Sequence, residues 1–283
     1  MNLRSKIWLL TAIFALLGFA NQAAADPSGP VYKTPDARKI VEKMINAHGG
    51  MDRWRSAPTI SYEHAMIDPS APDDPWVTIE VTEQGSRRCY QTWPRDEAKL
   101  GFDGENTWTV GWMRGNPPKM MAGISYFFLN LPWITQDDGV ILEKVGTGKL
   151  PKQTKDYNIV KMTYDPGTGV SPHEYYLLHI DPDTHLLKGV EYTVTWAALL
   201  DAFEMPPDVE YLGPSIKVYN EYADVAGLKI TTDYTTFGKD GNVYGLHTVK
   251  DLSVSKPFEE SRVKVPEGAK IDKSSRSRRS KAQ

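Results

Sequence analysis

Val77-Thr78-Ile79-Glu80-Val81-Thr82 is the stretch that decides the fold. Apolar and polar residues alternate strictly along it, and a period of two belongs to a strand with one covered, apolar face and one wet, polar face. The same beat returns at Val160-Lys161-Met162-Thr163-Tyr164 and at Val190-Glu191-Tyr192-Thr193-Val194-Thr195-Trp196. Half-wet strands belong to antiparallel sheets, because parallel sheets are covered on both faces. Asp103-Gly104 and Asp240-Gly241-Asn242 separate strand-like segments as hairpin turns, and Asp181-Pro182-Asp183 joins residues 175–180 to residues 186–196. About a dozen short, sequentially paired strands follow from these signals. The chain is also rich in Tyr, Trp and Phe, which favour pleated, half-buried surfaces. The expected class is mainly β (α+β), built on one large, curved antiparallel sheet.

A helix precedes the strands. Thr34-Pro35-Asp36 supplies an N-cap hydroxyl, a proline for the first turn and an acid at the positive end of the helix dipole. Ala37, Ile40, Val41, Met44 and Ile45 then form one apolar face, and Gly49-Gly50 ends the helix. Two later segments break the strand rhythm. Residues 118–133 place Met120, Ile124, Phe127, Phe128 and Leu131 at helical spacing, and residues 197–214 form an acidic, proline-bearing insertion. A sheet with one apolar face needs a cover, and the first helix and the Met/Phe segment are the available ones.

The N-terminus sets an expectation about location. Arg4 and Lys6 precede an apolar run over residues 7–20, and Ala23 and Ala25 stand at −3 and −1 of a small-residue cleavage site. The run is too short to span a membrane comfortably, so residues 1–25 are expected to be a signal peptide cleaved after Ala25. The protein is then periplasmic, with no transmembrane anchor left after cleavage. The one cysteine, Cys89, excludes an intramolecular disulfide and reads as a buried small hydrophobe among strand-like neighbours. Without residues 1–25 the chain carries 31 basic and 36 acidic residues, a balance that argues against nucleic acid as partner. Lys273, Arg276, Arg278, Arg279 and Lys281 make residues 273–283 a basic tail, expected to be disordered and able to touch an anionic surface. Residues 26–272 show no composition break and read as a single domain.

Catalytic and metal motifs are weak. His48, His64, His173, His179, His185 and His247 form no metal-binding spacing. Gly146-Thr147-Gly148-Lys149-Leu150 lacks the first glycine and the hydroxyl residue of a phosphate loop, and Gly123-Ile124-Ser125-Tyr126-Phe127 lacks the last glycine of a nucleophile elbow. Asp73-Asp74 and Asp137-Asp138 are adjacent pairs expected in solvated loops. No catalytic residue, metal or cofactor is therefore assigned.

Several motifs occur in a characteristic order: Ala47-His48-Gly49-Gly50-Met51-Asp52-Arg53-Trp54, then Gly101-Phe102-Asp103-Gly104-Glu105-Asn106-Thr107-Trp108, then Leu129-Asn130-Leu131-Pro132. Residues 178–187 and the closing Val265-Pro266-Glu267-Gly268-Ala269 complete the series. It resembles exported bacterial proteins of the outer-membrane lipoprotein-sorting (LolA/LolB-like) superfamily, over about residues 36–272. The resemblance implies an incomplete antiparallel barrel whose concave face is plugged by helices, with a cavity that holds a lipid, acyl chain or lipoprotein. An apolar groove of that kind stabilises an acyl chain by about 0.8 kcal/mol per methylene. The residues expected to line it are Trp112, Met121, Phe127, Phe128, Trp133, Tyr192, Val194 and Trp196. Three functions stay open: a non-catalytic carrier of an apolar ligand, an envelope protein-interaction module with a closed core, or a hydrolase built from scattered histidines and carboxylates. An open cavity would favour the first, a filled concave side the second, and a wet cleft of converging histidines the third.

Overall fold

The computed structural model describes residues 29–113, 115–165 and 174–274; residues 1–25, His173 and the tail from residue 275 lie outside them. Strand β1 (Val31–Tyr32) leads into helices α1 (Pro35–Ala47) and α2 (Met51–Ser56). Five strands follow: β2 (Thr59–Ile67), β3 (Trp76–Glu83), β4 (Cys89–Trp93), β5 (Ala98–Phe102) and β6 (Thr107–Val110). Helix α3 (Pro118–Ile134) separates them from β7 (Val140–Gly148), β8 (Tyr157–Tyr164), β9 (Tyr176–Ile180) and β10 (Leu187–Val194). A short α4 (Ala197–Ala202) precedes β11 (Leu212–Val225), β12 (Leu228–Phe237), β13 (Val243–Ser253) and the terminal β14 (Lys270–Ile271).

These strands form one 14-stranded sheet in the order β1-β7-β8-β9-β10-β11-β12-β13-β2-β3-β4-β5-β6-β14. It is an incomplete barrel with β1 and β14 as its free edges. Neighbours pair antiparallel throughout, except that the two-residue β1 lies parallel to β7. That one pairing makes an otherwise antiparallel sheet mixed.

Helices α1 and α3 cover the concave face. Thr34 caps α1 by accepting from the Ala37 N–H, and Ala37, Val41, Met44 and Ile45 are buried as their spacing predicts. At its end, Gly49 has φ +107°, and a Cβ there would meet the Gly227 carbonyl oxygen at 2.1 Å, so only glycine fits. The neighbouring His48 ties the helix end to two strands: its Nδ1 lies 2.7 Å from the Lys229 carbonyl, and its Nε2 accepts from the Leu187 N–H. Helix α3 is buried on almost every side from Ser125 to Ile134. Pro132 inside it cannot donate to the Phe128 carbonyl one turn back, and the Tyr219 hydroxyl donates to that carbonyl instead, at 2.9 Å.

The alternation in β8 and β10 resolves as expected, with Val160, Met162, Val190 and Tyr192 in the core. In β3 it is reversed. Glu80 is 2% exposed and Ile79 is 44% exposed, so Thr78, Glu80 and Thr82 face the concave side. The apolar set of β3 lies on the convex face, where Val81 is covered by Val263 and Phe258 of the C-terminal segment. Inside, Glu80 finds enough hydrogen-bond donors to be buried, which removes the usual reason for a carboxylate to face water.

Candidate functional site

A cavity of about 430 Å³ runs along one face of α3, at the slot where the incomplete barrel fails to close. Lys119, Met120, Gly123, Phe127 and Ile134 line it at helical spacing, a run of about 22 Å at 1.5 Å per residue. Thr82, Phe102 and Thr107 form the wall on the β3–β6 side, and Tyr164 and Trp196 stand on the other. A smaller cavity of about 50 Å³ adjoins it, sharing Met120, Gly123, Phe127 and Trp196 and adding Phe128, Tyr176, Tyr192 and Val194. The aromatic rings there interlock: Phe127 stands 4.9 Å from Tyr176, and Phe128 stands 4.8 Å from Tyr192.

The expected lining residues divide accordingly. Phe127 and Trp196 line both cavities, and Phe128, Tyr192 and Val194 line the smaller one. Trp112, Met121 and Trp133 line neither. Trp112 packs edge-on against Trp93 in a cluster with Cys89, Ala98 and Leu100. Met121 packs against the same cluster, and its carbonyl accepts from Gln91. Trp133 is fully buried on the opposite face of α3, stacked on Trp54, whose indole N–H donates to Asn130 at 2.7 Å. Trp112 precedes α3, and Met121 and Trp133 are rotated about the helix axis away from the cavity; their apolar character alone does not reveal which way they point.

The mouth is charged. Arg87, in the β3–β4 turn, pairs with Asp137 just beyond α3, and Asp138 lies beside them on the cavity wall. Burial raises the Asp137 carboxyl above its ordinary pKa against the pull of Arg87. Burial works against the Arg87 charge, yet Asp137 holds its pKa above the ordinary value.

A hydrogen-bonded stripe crosses the concave sheet beneath α3. Gln91, Thr78 and Tyr62 donate to Glu80 at 3.0, 2.7 and 3.1 Å, and the Ser125 hydroxyl of α3 is a further partner. Further along, Lys217 donates to Thr236 at 3.0 Å, Thr236 lies 2.9 Å from His247 Nε2, and His247 Nδ1 lies 3.0 Å from His64 Nε2. The Tyr234 hydroxyl meets the same His64 nitrogen at 3.0 Å. His64 Nε2 has one lone pair or one proton, so it serves only one of its two neighbours, His247 Nδ1 or the Tyr234 hydroxyl, at a time. The Lys217 ammonium also faces the Phe128 ring at 4.7 Å and the Tyr234 ring at 4.9 Å. Burial pushes its pKa down to about 7. This stripe escaped sequence reading. Its signal was present as polar residues at period two on neighbouring strands, Tyr62 and His64 beside Thr78, Glu80 and Thr82.

His64 and His247 therefore meet, but in a closed interior rather than a wet cleft. His179 is buried with neither ring nitrogen hydrogen-bonded among the described residues, and His185 sits in the β9–β10 turn. Among the described residues no group of three or more His, Cys, Asp or Glu is placed to hold a metal ion, and no helix is long and apolar enough to cross a membrane.

No family model matches the sequence, and no curated protein is similar to it. Solved structures are similar. A DUF1329 family protein from Desulfovibrio piger is 10% identical, with TM-score 0.51 over 81% of this chain and 98% of that one. A LolA superfamily protein from Nitrosomonas europaea is 12% identical, with TM-score 0.49 over 80% and 96% of the two chains. An outer-membrane lipoprotein-sorting protein domain from Vibrio parahaemolyticus is 9% identical, with TM-score 0.48 over 81% and 96%. The likeness to the DUF1329 family protein is one of fold.

Proposed function

We propose that this chain is an exported, non-catalytic binding protein that holds an apolar or amphiphilic molecule between α3 and the open slot of the barrel. One observation carries this reading: an elongated cavity of about 430 Å³, walled by Met120, Phe127, Ile134, Phe102 and Trp196, between α3 and the incomplete barrel. Its size lies within the roughly 300–1,000 Å³ of small-molecule pockets, and an apolar wall with few polar groups is what such pockets present. Methionine at the centre adapts to variable ligand shape. An interaction module with a filled concave side would leave no such space. The periplasm is the compartment that fits the signal-like N-terminus.

Gly123 offers a direct test. It lines both cavities, and a Cβ built there meets no atom within 4 Å. Gly123→Leu is expected to fill the cavity while stabilising α3 by about 0.5–1 kcal/mol, since glycine is a poor helix residue. Binding of an apolar fluorescent dye such as phenylnaphthylamine should fall at least about tenfold relative to Gly123→Ala, with an equal or higher melting temperature. Unchanged dye affinity in a folded Gly123→Leu protein would contradict the reading.

A further inference from the structure

The cavity has a polar wall that its apolar lining does not explain. Thr82, Cys89, Phe102 and Thr107 are successive cross-strand partners on β3, β4, β5 and β6, so all four side chains face the same side of the sheet. Cys89 is used: its thiol lies 3.1 Å from the Ala122 carbonyl of α3. The two threonines that end the row are not. Both line the cavity and both are 2% exposed, yet neither hydroxyl has a hydrogen-bond partner among the described residues. Valine would fill the same space on a strand and carry no hydroxyl to leave unsatisfied. Neither hydroxyl makes a bond that a turn about χ1 would break.

We propose that this wall is a headgroup subsite, and that the ligand is an amphiphile whose uncharged or zwitterionic head offers oxygen acceptors to Thr82 and Thr107. The charges around it select the head. Arg87 is already neutralised by Asp137, and Asp138 adds a further negative group to the same wall. With Lys119 the lining holds two basic and two acidic side chains, so it offers a bare carboxylate no net positive charge. An ester or a zwitterionic phosphodiester keeps the acceptor oxygens without adding net negative charge. The alkyl portion then lies along Met120, Gly123 and Phe127 of α3. This inference rests on the reading of the cavity as a ligand site.

The test is displacement of bound phenylnaphthylamine by monopalmitoylglycerol, lysophosphatidylethanolamine or palmitate. Wild type is compared with the paired variants Thr82→Val/Thr107→Val and Thr82→Ser/Thr107→Ser. Monopalmitoylglycerol and lysophosphatidylethanolamine are expected to displace the dye at least about tenfold better than palmitate from wild type. The valine pair should lose about tenfold in affinity for both head-bearing competitors relative to its own affinity for the dye, and melt no lower than wild type. The serine pair, which retains both hydroxyls, should recover the wild-type preference. Equal displacement from wild type and from the valine pair would overturn the subsite while leaving the cavity reading intact, as would palmitate as the best competitor. A wild-type protein that binds neither dye nor amphiphile would overturn both.

Discussion

Taking the protein from pH 7 to pH 5 is expected to remove about 8 kcal/mol of its stability, about 2 kcal/mol for each of four buried histidines. His48, His64, His179 and His247 are buried and held neutral. Burial pulls the imidazole pKa down to about 4 in His48 and His179 and about 3 in His64, and lower again in His247. Nearby cations add to this: Lys229 and Lys188 at His48, and Lys217 at His64 and His247. The folded values lie below the unfolded value of 6.5, so the unfolded chain binds more protons in the interval between them. The histidine contribution is complete above pH 6.5 and is lost as the pH falls toward the folded values. At pH 5 each site costs about 2 kcal/mol, and four together cost about 8 kcal/mol. That is comparable to the roughly 5–15 kcal/mol by which domains are stable. Protonation also removes the acceptor that His48 Nε2 offers to the Leu187 N–H, loosening the end of α1. Lys217 gives the profile a second rise, from pH 7 to about 10, because its folded pKa of about 7 lies below that of the unfolded chain. Urea unfolding followed by circular dichroism at pH 7 and pH 5 measures the effect. His179→Leu should recover about 2 kcal/mol at pH 5, since neither of its ring nitrogens is hydrogen-bonded among the described residues. Equal urea midpoints at the two pH values would contradict this account of the interior.

The second large effect is expected at Glu80. Glu80→Ala should lower stability by about 3–5 kcal/mol, because it leaves Tyr62, Thr78, Gln91 and Ser125 without their shared acceptor in a closed interior. Burial raises the carboxyl pKa, and the hydrogen bonds from Thr78, Ser125 and Tyr62 pull it back. Glu80→Gln keeps one acceptor oxygen but turns N–H groups toward other donors, and should cost about 1–2 kcal/mol. Ser125 and the Met121 carbonyl, which accepts from Gln91, tie α3 to the sheet through this cluster. Loss of dye binding should therefore accompany the loss of stability in Glu80→Ala. A variant within 1 kcal/mol of wild type, by urea unfolding, would show that the cluster does not hold the plug.

The sequence revealed the parts of the fold whose residues act locally. The Thr34 cap, the apolar face of α1 and the Gly49 stop are decided within a few residues, and all three are found in place. The hairpin turns at Asp103-Gly104 and Asp240-Gly241 sit between β5 and β6 and between β12 and β13 as read. The reversal of β3 was hidden because it depends on distant covers. Val263 and Phe258 shield Val81 from outside, and Tyr62, Gln91 and Ser125 accept Glu80 inside. The site was legible as a segment and not as a face. Residues 118–133 were recognised as the plug, yet the cavity side of α3 could not be separated from the Trp133 side, because both are apolar. The polar wall at Thr82 and Thr107 was invisible for a related reason: its threonines come together only through the pairing of β3 to β6.

Whether the cavity holds a ligand is settled most directly by native mass spectrometry of the protein purified from bacterial cells without detergent, followed by organic extraction. We expect a bound amphiphile of defined mass, released on extraction and absent from Gly123→Leu. A clean apo mass that stays unchanged after incubation with monopalmitoylglycerol and lysophosphatidylethanolamine would contradict the binding function.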